Sequence, residues 1–259
     1  MPTVKSGEAR IHYELEGPTG APAVVFSNSL GADYSMWDPQ AREFQKHFRV
    51  LRYDPRGHGQ SSPTPGPCSI ELLAKDVIAL LDALELDSVH FCGLSMGGMI
   101  GMWMGVNAPE RISKLALCNT GAKIGTPEGW DARIDAVRKN GMKSVASATV
   151  ERWFTPAFRA QAPATVASIQ KMLEEANAEG FAACSAAVRD FDFREQVSKI
   201  RLPTLVISGA HDPGTPPADG RFLAQQIPGA RYAELNAAHL SNVEAQDQFN
   251  NELAAFLNS

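Results

Sequence analysis

Six residues, Gly93-Leu94-Ser95-Met96-Gly97-Gly98, restrict what this chain can fold into more than any others. They follow Ser88 to Cys92, a short apolar run of the buried-strand kind, and they open a helical stretch from about Ser95 to Asn107. A serine flanked at two residues on either side by glycine suits a sharp strand-to-helix turn with a strained apex, where a flanking Cβ would clash. Such a turn belongs to a chain that alternates strands with helices, and the rest of the sequence keeps that rhythm.

Thr3 to Glu16 alternates loosely around Gly7, which predicts an antiparallel hairpin. Strand-like runs then occur at Ala23 to Ser27, Arg49 to Tyr53, Ser88 to Cys92, Lys114 to Cys118, Leu205 to Ser208 and Arg231 to Leu235. Between them lie helical stretches at Trp37 to Phe48, Ser69 to Leu86, Ser95 to Asn107, Ala218 to Gln226 and Val243 to Leu257. The clearest is the second, where Ser69 can cap the helix and Leu72, Leu73, Val77, Leu80, Leu81 and Leu84 recur at helical spacing. Alternation of this kind predicts an α/β fold, with a mostly parallel central sheet and helices on both faces. From Lys123 to Val197 the patterns are helical, with no convincing strand. The expected division is a core domain of residues 1–122 and 198–259, with a helical cap inserted at 123–197.

Composition narrows the partners. A formal net charge of -5 over 259 residues offers no basic footprint for nucleic acid and no polybasic stretch for a membrane surface. No apolar run is long enough to span a bilayer. Met1 to Arg10 has no apolar core of a secretory signal. The four cysteines, Cys68, Cys92, Cys118 and Cys184, follow no metal or disulfide spacing. The expectation is a cytoplasmic protein with no nucleic-acid or membrane partner.

Serine is a weak nucleophile until a base takes its proton, and that base must be held in one tautomer. His12 and His90 fall in strand-like runs, His47 ends a helical stretch, and His58 sits in a turn. His239 follows the last strand on the loop before the final helix. Loops at the carboxyl ends of parallel strands converge where ligands bind, so His239 can reach Ser95. Asp212, on the loop after the preceding strand, is the candidate acid, although it could instead only open a turn ahead of Pro213. The alternative position, after the strand ending at Cys118, holds Asn119, which cannot be an anion. The turn at Ser95 also aims the Met96 N–H at the spot where negative charge would develop.

With Asp54-Pro55-Arg56-Gly57-His58-Gly59 added, these segments resemble the α/β-hydrolases. More narrowly, Ser27-Asn28-Ser29-Leu30-Gly31, Met36-Trp37-Asp38-Pro39-Gln40 and Cys118-Asn119-Thr120-Gly121-Ala122-Lys123-Ile124-Gly125-Thr126-Pro127 are similar to the 3-oxoadipate enol-lactonases. The resemblance runs from the first strand to the last helix. It implies a carboxylic ester hydrolase of aromatic catabolism, in the β-ketoadipate pathway, that needs no metal or organic cofactor. It also implies that the Leu30 N–H joins that of Met96 as an oxyanion hole, although Asn28-Ser29 stands where many relatives carry His-Gly. The implied substrate is an enol-lactone bearing a carboxylate. Among the cap cations Lys123, Arg133, Arg138, Lys139 and Arg152, the expectation falls on Arg133, with Trp130 and Trp153 as apolar walls. Each of these can equally be a solvated or core residue of the cap. A general carboxylesterase, a cofactor-free haloperoxidase-like hydrolase, a C–C bond hydrolase and a non-catalytic binding protein are the competing readings.

Overall fold

The computed structural model describes residues 2–259; Met1, the first residue of the charged N-terminal stretch, lies outside them. In chain order the strands are β1 (Thr3–Ser6), β2 (Ala9–Glu16), β3 (Ala23–Ser27), β4 (Arg49–Tyr53), β5 (Val89–Leu94), β6 (Ile112–Cys118), β7 (Thr204–Gly209) and β8 (Arg231–Leu235). They form one sheet in the order β1-β2-β4-β3-β5-β6-β7-β8. β1 and β2 are the expected hairpin, and β2 also runs antiparallel to β4. Every other pairing is parallel. The chain adds β4 on one side of β3 and then returns to add β5 on the other. The sheet therefore reverses its winding at β3, and a crevice opens outside the carboxyl ends of β3 and β5.

The helices around the sheet are α1 (Asp38–Phe44), α2 (Ile70–Ala83), α3 (Met96–Asn107), then α4 (Pro127–Asn140), α5 (Lys143–Trp153), α6 (Pro156–Gln161), α7 (Pro163–Glu175) and α8 (Ala178–Asp190). α9 (Pro217–Gln226), α10 (Ser241–Glu244) and α11 (Gln246–Leu257) complete the chain. The two-residue period of the strands sorts their side chains between two apolar layers. Val25 and Phe91 join Leu73, Val77 and Leu80 of α2 and Met99 and Ile100 of α3. Val24, Phe26 and Cys92 face the other way, among Phe44 of α1 and Phe249, Leu253 and Phe256 of α11. Each such side chain, fully buried, contributes about 1.5–3 kcal/mol. Ser69 caps α2 by accepting the Leu72 N–H at 3.1 Å.

Between β6 and β7 the chain passes through α4 to α8 with no strand. Thr126, Thr155 and Asn177 cap α4, α6 and α8 through their side-chain oxygens. The segment is fastened to both layers. Phe181, Cys184 and Val188 of α8 enter the first. Val150 and Trp153 of α5, with Ile169 and Leu173 of α7, enter the second. No described helix is long and apolar enough to cross a membrane.

Two helices differ from the sequence expectation. The one predicted over Trp37 to Phe48 is a 3-10 turn over Tyr34–Trp37 followed by α1, which ends at Phe44. Beyond Phe44 the His47 and Phe48 N–H groups both turn back to Phe44 O, closing the helix in a turn, and the Arg49 N–H donates to Pro22 O at 2.9 Å as β4 begins. The final helix is broken at Ala245, whose φ of -116° and ψ of 46° are not helical. The break leaves Glu244 free to reach sideways. Its carboxylate accepts the Ala238 N–H at 2.9 Å and the Thr155 N–H at 3.3 Å, tying the β8–α10 loop to the α5–α6 junction.

Candidate active site

β5 runs into α3 through Ser95, whose φ of 57° and ψ of -113° are strained for a residue with a side chain. The surroundings hold it there. The Ser95 N–H donates to Cys118 O at 2.9 Å, and Thr120 Oγ1 donates to Ser95 O at 2.7 Å. The Gly97 N–H donates to Asn28 O at 3.0 Å, joining the turn to the loop after β3. Both flanking glycines are obligatory here. A Cβ on Gly93 would lie 2.1 Å from Gly97 O, and one on Gly97 would lie 2.2 Å from Ser27 O.

Asp212 and His239 leave the carboxyl ends of β7 and β8. The His239 Nδ1–H donates to Asp212 Oδ2 at 2.7 Å. The same oxygen accepts from Thr215 Oγ1 at 2.6 Å and Asn119 Nδ2 at 3.0 Å. Asp212 Oδ1 accepts the N–H groups of Gly214 and Thr215 at 2.8 and 3.1 Å. Burial opposes ionisation of this carboxyl. The charge and hydrogen bond of His239, with the bonds from Thr215 and Asn119, outweigh it and bring the pKa to about 2. Asp212 is therefore an anion at any working pH, and it fixes which ring nitrogen of His239 carries the proton.

The other nitrogen, Nε2, faces the same cavity as Ser95. Its side-chain neighbour is Ser29 Oγ at 3.5 Å. Among the described residues no hydrogen bond joins Ser95 Oγ to His239, although both line the cavity. Bonds of this kind are often long in a free enzyme and tighten only around substrate. Trp153 lies over the His239 ring with centroids 6.2 Å apart and planes 26° apart. The Leu240 N–H donates to Trp153 O at 3.1 Å, so α5 steadies the loop that carries His239.

Leu30 lies on the loop after β3, and Met96 is the first residue of α3. Among the described residues neither backbone N–H has an acceptor. The next amide along, that of Gly31, donates to His58 Nε2 at 2.9 Å, while His58 Nδ1 donates to Arg56 O at 3.1 Å. Burial lowers the His58 pKa and keeps the ring neutral, so Nε2 is free to accept. His58 thus ties the loop that carries Leu30 and Gly31 to the turn after β4.

Leu30, Ser95, Trp130, Arg133, Trp153, Asp212 and His239 all line one cavity. So does Arg152, beside which Arg133 was the sequence preference. Arg133 Nη2 and Arg152 Nη2 both donate to Thr149 Oγ1, at 2.9 and 3.3 Å. Neither guanidinium has a carboxylate partner among the described residues. Burial, and then the charge of Arg152, lowers the Arg133 pKa to about 10, which leaves it cationic at neutral pH. Its guanidinium carbon lies 5.4 Å from the Trp130 ring and 5.1 Å from that of Phe181. The other named cations are elsewhere: Lys123 pairs with Asp192 and Arg138 with Glu179, while Lys139 does not line the cavity.

Sequence reasoning missed three polar residues. Asn119, set aside as a non-acid, donates to Asp212 and to Ala238 O at 3.1 Å, and accepts from Ser241 Oγ at 2.6 Å. Its position at the end of β6 was the available signal. Thr215, three residues after Asp212, and Ser29, beside Leu30, had none beyond their neighbours.

A family model described as the alpha/beta hydrolase fold matches residues 22–246. The chain is 42% identical to 3-oxoadipate enol-lactonase 2 of Acinetobacter baylyi, over 98% of this chain and 96% of that protein. It is 38% identical to 3-oxoadipate enol-lactonase 1 of the same organism, over 100% of this chain and 97% of that one. The crystal structure of the enol-lactonase from Burkholderia xenovorans LB400 superposes with a TM-score of 0.98 at 44% identity, covering 100% of both chains. The chain belongs to the α/β-hydrolase fold family, and its likeness to the 3-oxoadipate enol-lactonases extends over its whole length.

Proposed function

We propose that this protein is a serine hydrolase that opens the ring of 3-oxoadipate enol-lactone to give 3-oxoadipate, with residues 123–197 acting as a cap over a core of residues 1–122 and 198–259. The observation that carries this reading is the 2.7 Å His239–Asp212 bond, set beside Ser95 in a cavity also lined by two cations without carboxylate partners. Ser95 Oγ attacks the lactone carbonyl as His239 Nε2 takes its proton, and Asp212 stabilises the imidazolium that forms. The oxyanion lies between the N–H groups of Leu30 and Met96, each donor contributing roughly 2.7–4 kcal/mol in the transition state. Collapse breaks the ring C–O bond and expels an enolate oxygen, which takes the proton from Nε2. The opened chain stays on Ser95 as an acyl-enzyme, and its enol becomes a ketone. Water, losing a proton to Nε2, then frees the second carboxylate.

The free carboxylate of the substrate sits against Arg133 and Arg152, with Trp130 and Trp153 excluding water. The substrate is a small molecule, and we place the reaction in the cytoplasm, where four free buried thiols stay reduced. The test follows loss of the enol-lactone absorbance with the wild type, Ser95→Ala and Arg133→Ala, with p-nitrophenyl acetate as neutral comparison. Ser95→Ala abolishes turnover of both substrates. Arg133→Ala raises KM for the anionic lactone at least tenfold while leaving that for the neutral ester within twofold, the loss expected for a charged hydrogen bond of ~1.5–3 kcal/mol. Equal effects on the two esters would remove the carboxylate site, and turnover by Ser95→Ala would remove the nucleophile.

A further inference from the structure

Resting on that reading, we infer that Ser29 is a further catalytic residue, whose hydroxyl holds the oxygen that exchanges a proton with His239 Nε2. Ser29 is buried on the loop after β3 and lines the same cavity as Ser95. Its backbone is committed elsewhere: its N–H faces Met36 Sδ at 3.4 Å, and its carbonyl accepts the Ala32 N–H at 3.1 Å. Only the side chain is presented to the reaction, next to the amide of Leu30. Ser29 Oγ stands 3.5 Å from Nε2. That is long for a direct hydroxyl–nitrogen bond, and it leaves both groups with capacity for a third oxygen.

Two oxygens pass through that place in turn. In acylation it is the leaving oxygen, which needs a donor as the C–O bond breaks and Nε2–H delivers its proton. In deacylation it is water. One water hydrogen goes to Nε2 and the other is accepted by Ser29 Oγ, so a lone pair faces the acyl carbon. The bond from that carbon to Ser95 Oγ then breaks, and Oγ takes back the proton from Nε2. A hydroxyl can donate in the first half-reaction and accept in the second, whereas a backbone N–H or an alanine cannot do both.

Stopped-flow with p-nitrophenyl acetate separates the steps, because p-nitrophenolate leaves without help. In Ser29→Ala the burst of p-nitrophenolate keeps the wild-type rate, while the following steady-state rate falls roughly tenfold, the worth of one hydrogen bond in the transition state. Intact-protein mass spectrometry then finds the acetyl group accumulated on Ser95. Ser29→Thr, which keeps a hydroxyl, recovers most of the loss, and unchanged melting temperatures exclude a folding defect. A steady-state rate in Ser29→Ala within twofold of the wild type, or a burst that slows in parallel with it, would overturn the inference. A wild-type protein that forms no adduct at Ser95 would instead remove the underlying hydrolase reading.

Discussion

Replacing Asp212 by asparagine tests the site where its electrostatics are strongest. The carboxylate accepts five hydrogen bonds, three at Oδ2 and two at Oδ1, and every donor is an N–H or O–H. An asparagine amide satisfies only one side. Either its NH2 meets His239, Thr215 and Asn119, or it meets the two backbone amides, so at least two donors lose their acceptor. Each buried group left unsatisfied costs ~1–3 kcal/mol, which places the loss of stability near neutral pH at about 2–6 kcal/mol. Part of that difference depends on pH. A carboxyl held at about 2 instead of 3.8 contributes ~2 kcal/mol of stability as the anion. Because the folded pKa is depressed, the contribution is fully present above the unfolded value and is lost as pH falls toward about 2. Urea denaturation of wild type and variant should show their difference shrinking by about 1 kcal/mol between pH 5.5 and 3. At neutral pH kcat should fall by roughly 10³–10⁴, because the imidazole loses both its tautomer and its counter-charge. A stability difference that stays constant across that acid range would refute the claim that the anion is the stabilising species.

Two other substitutions probe the supports of the site. Asn119→Leu removes the donors to Asp212 and Ala238 O and the acceptor for Ser241, so kcat should fall ten- to a hundredfold with KM nearly unchanged, measured on the lactone. Asp76→Ala strands the buried Arg56 guanidinium, which is held at 2.6 and 2.9 Å by that carboxylate. It should lower unfolding free energy by ~3–5 kcal/mol in a urea titration at neutral pH.

The sheet was legible because its signal is local. Short runs of apolar and β-forming residues between turn residues mark the strands, and β3, β4 and β8 begin and end where those runs do. β5 runs two residues past its apolar run, to Leu94, because Leu94 pairs with Cys118 of β6, a relation the sequence does not express. The helices reflect their own caps well, as Ser69 illustrates. They failed where local backbone geometry overrides propensity: α1 ended at Phe44, short of the expected Phe48, and the chain bent at Ala245. The same division runs through the site. Ser95, Asp212 and His239 can be read from loop order alone, since each follows a strand on one edge. Asn119 acts on a carboxylate 93 residues away, and Ser29 on a ring 210 residues away, so no spacing announces them.

The arrangement explains how a chain with a net charge of -5 accommodates an anion. At physiological ionic strength a charge is felt over about 8 Å, so the overall balance matters less than the few groups lining the cavity. Lys123, Arg138, Arg189 and Arg194 are neutralised by carboxylates, whereas Arg133 and Arg152 share only the hydroxyl of Thr149. Arg152 is followed in α5 by Trp153, whose ring lies over His239 and whose carbonyl holds the Leu240 N–H. Two residues further on, Thr155 is bound to Glu244, which also holds the Ala238 N–H. On the proposed assignment of the substrate carboxylate to Arg133 and Arg152, the second of these cations lies on the same stretch of chain as Trp153 and Thr155, which steady the His239 loop. We propose that contact made at the carboxylate, remote from the reacting bond, stiffens this segment and with it the direction of Nε2. On that proposal, binding energy goes into orienting the base and raises kcat as well as affinity. A neutral ester, which leaves Arg152 without a partner, loses that orientation along with the ion pair.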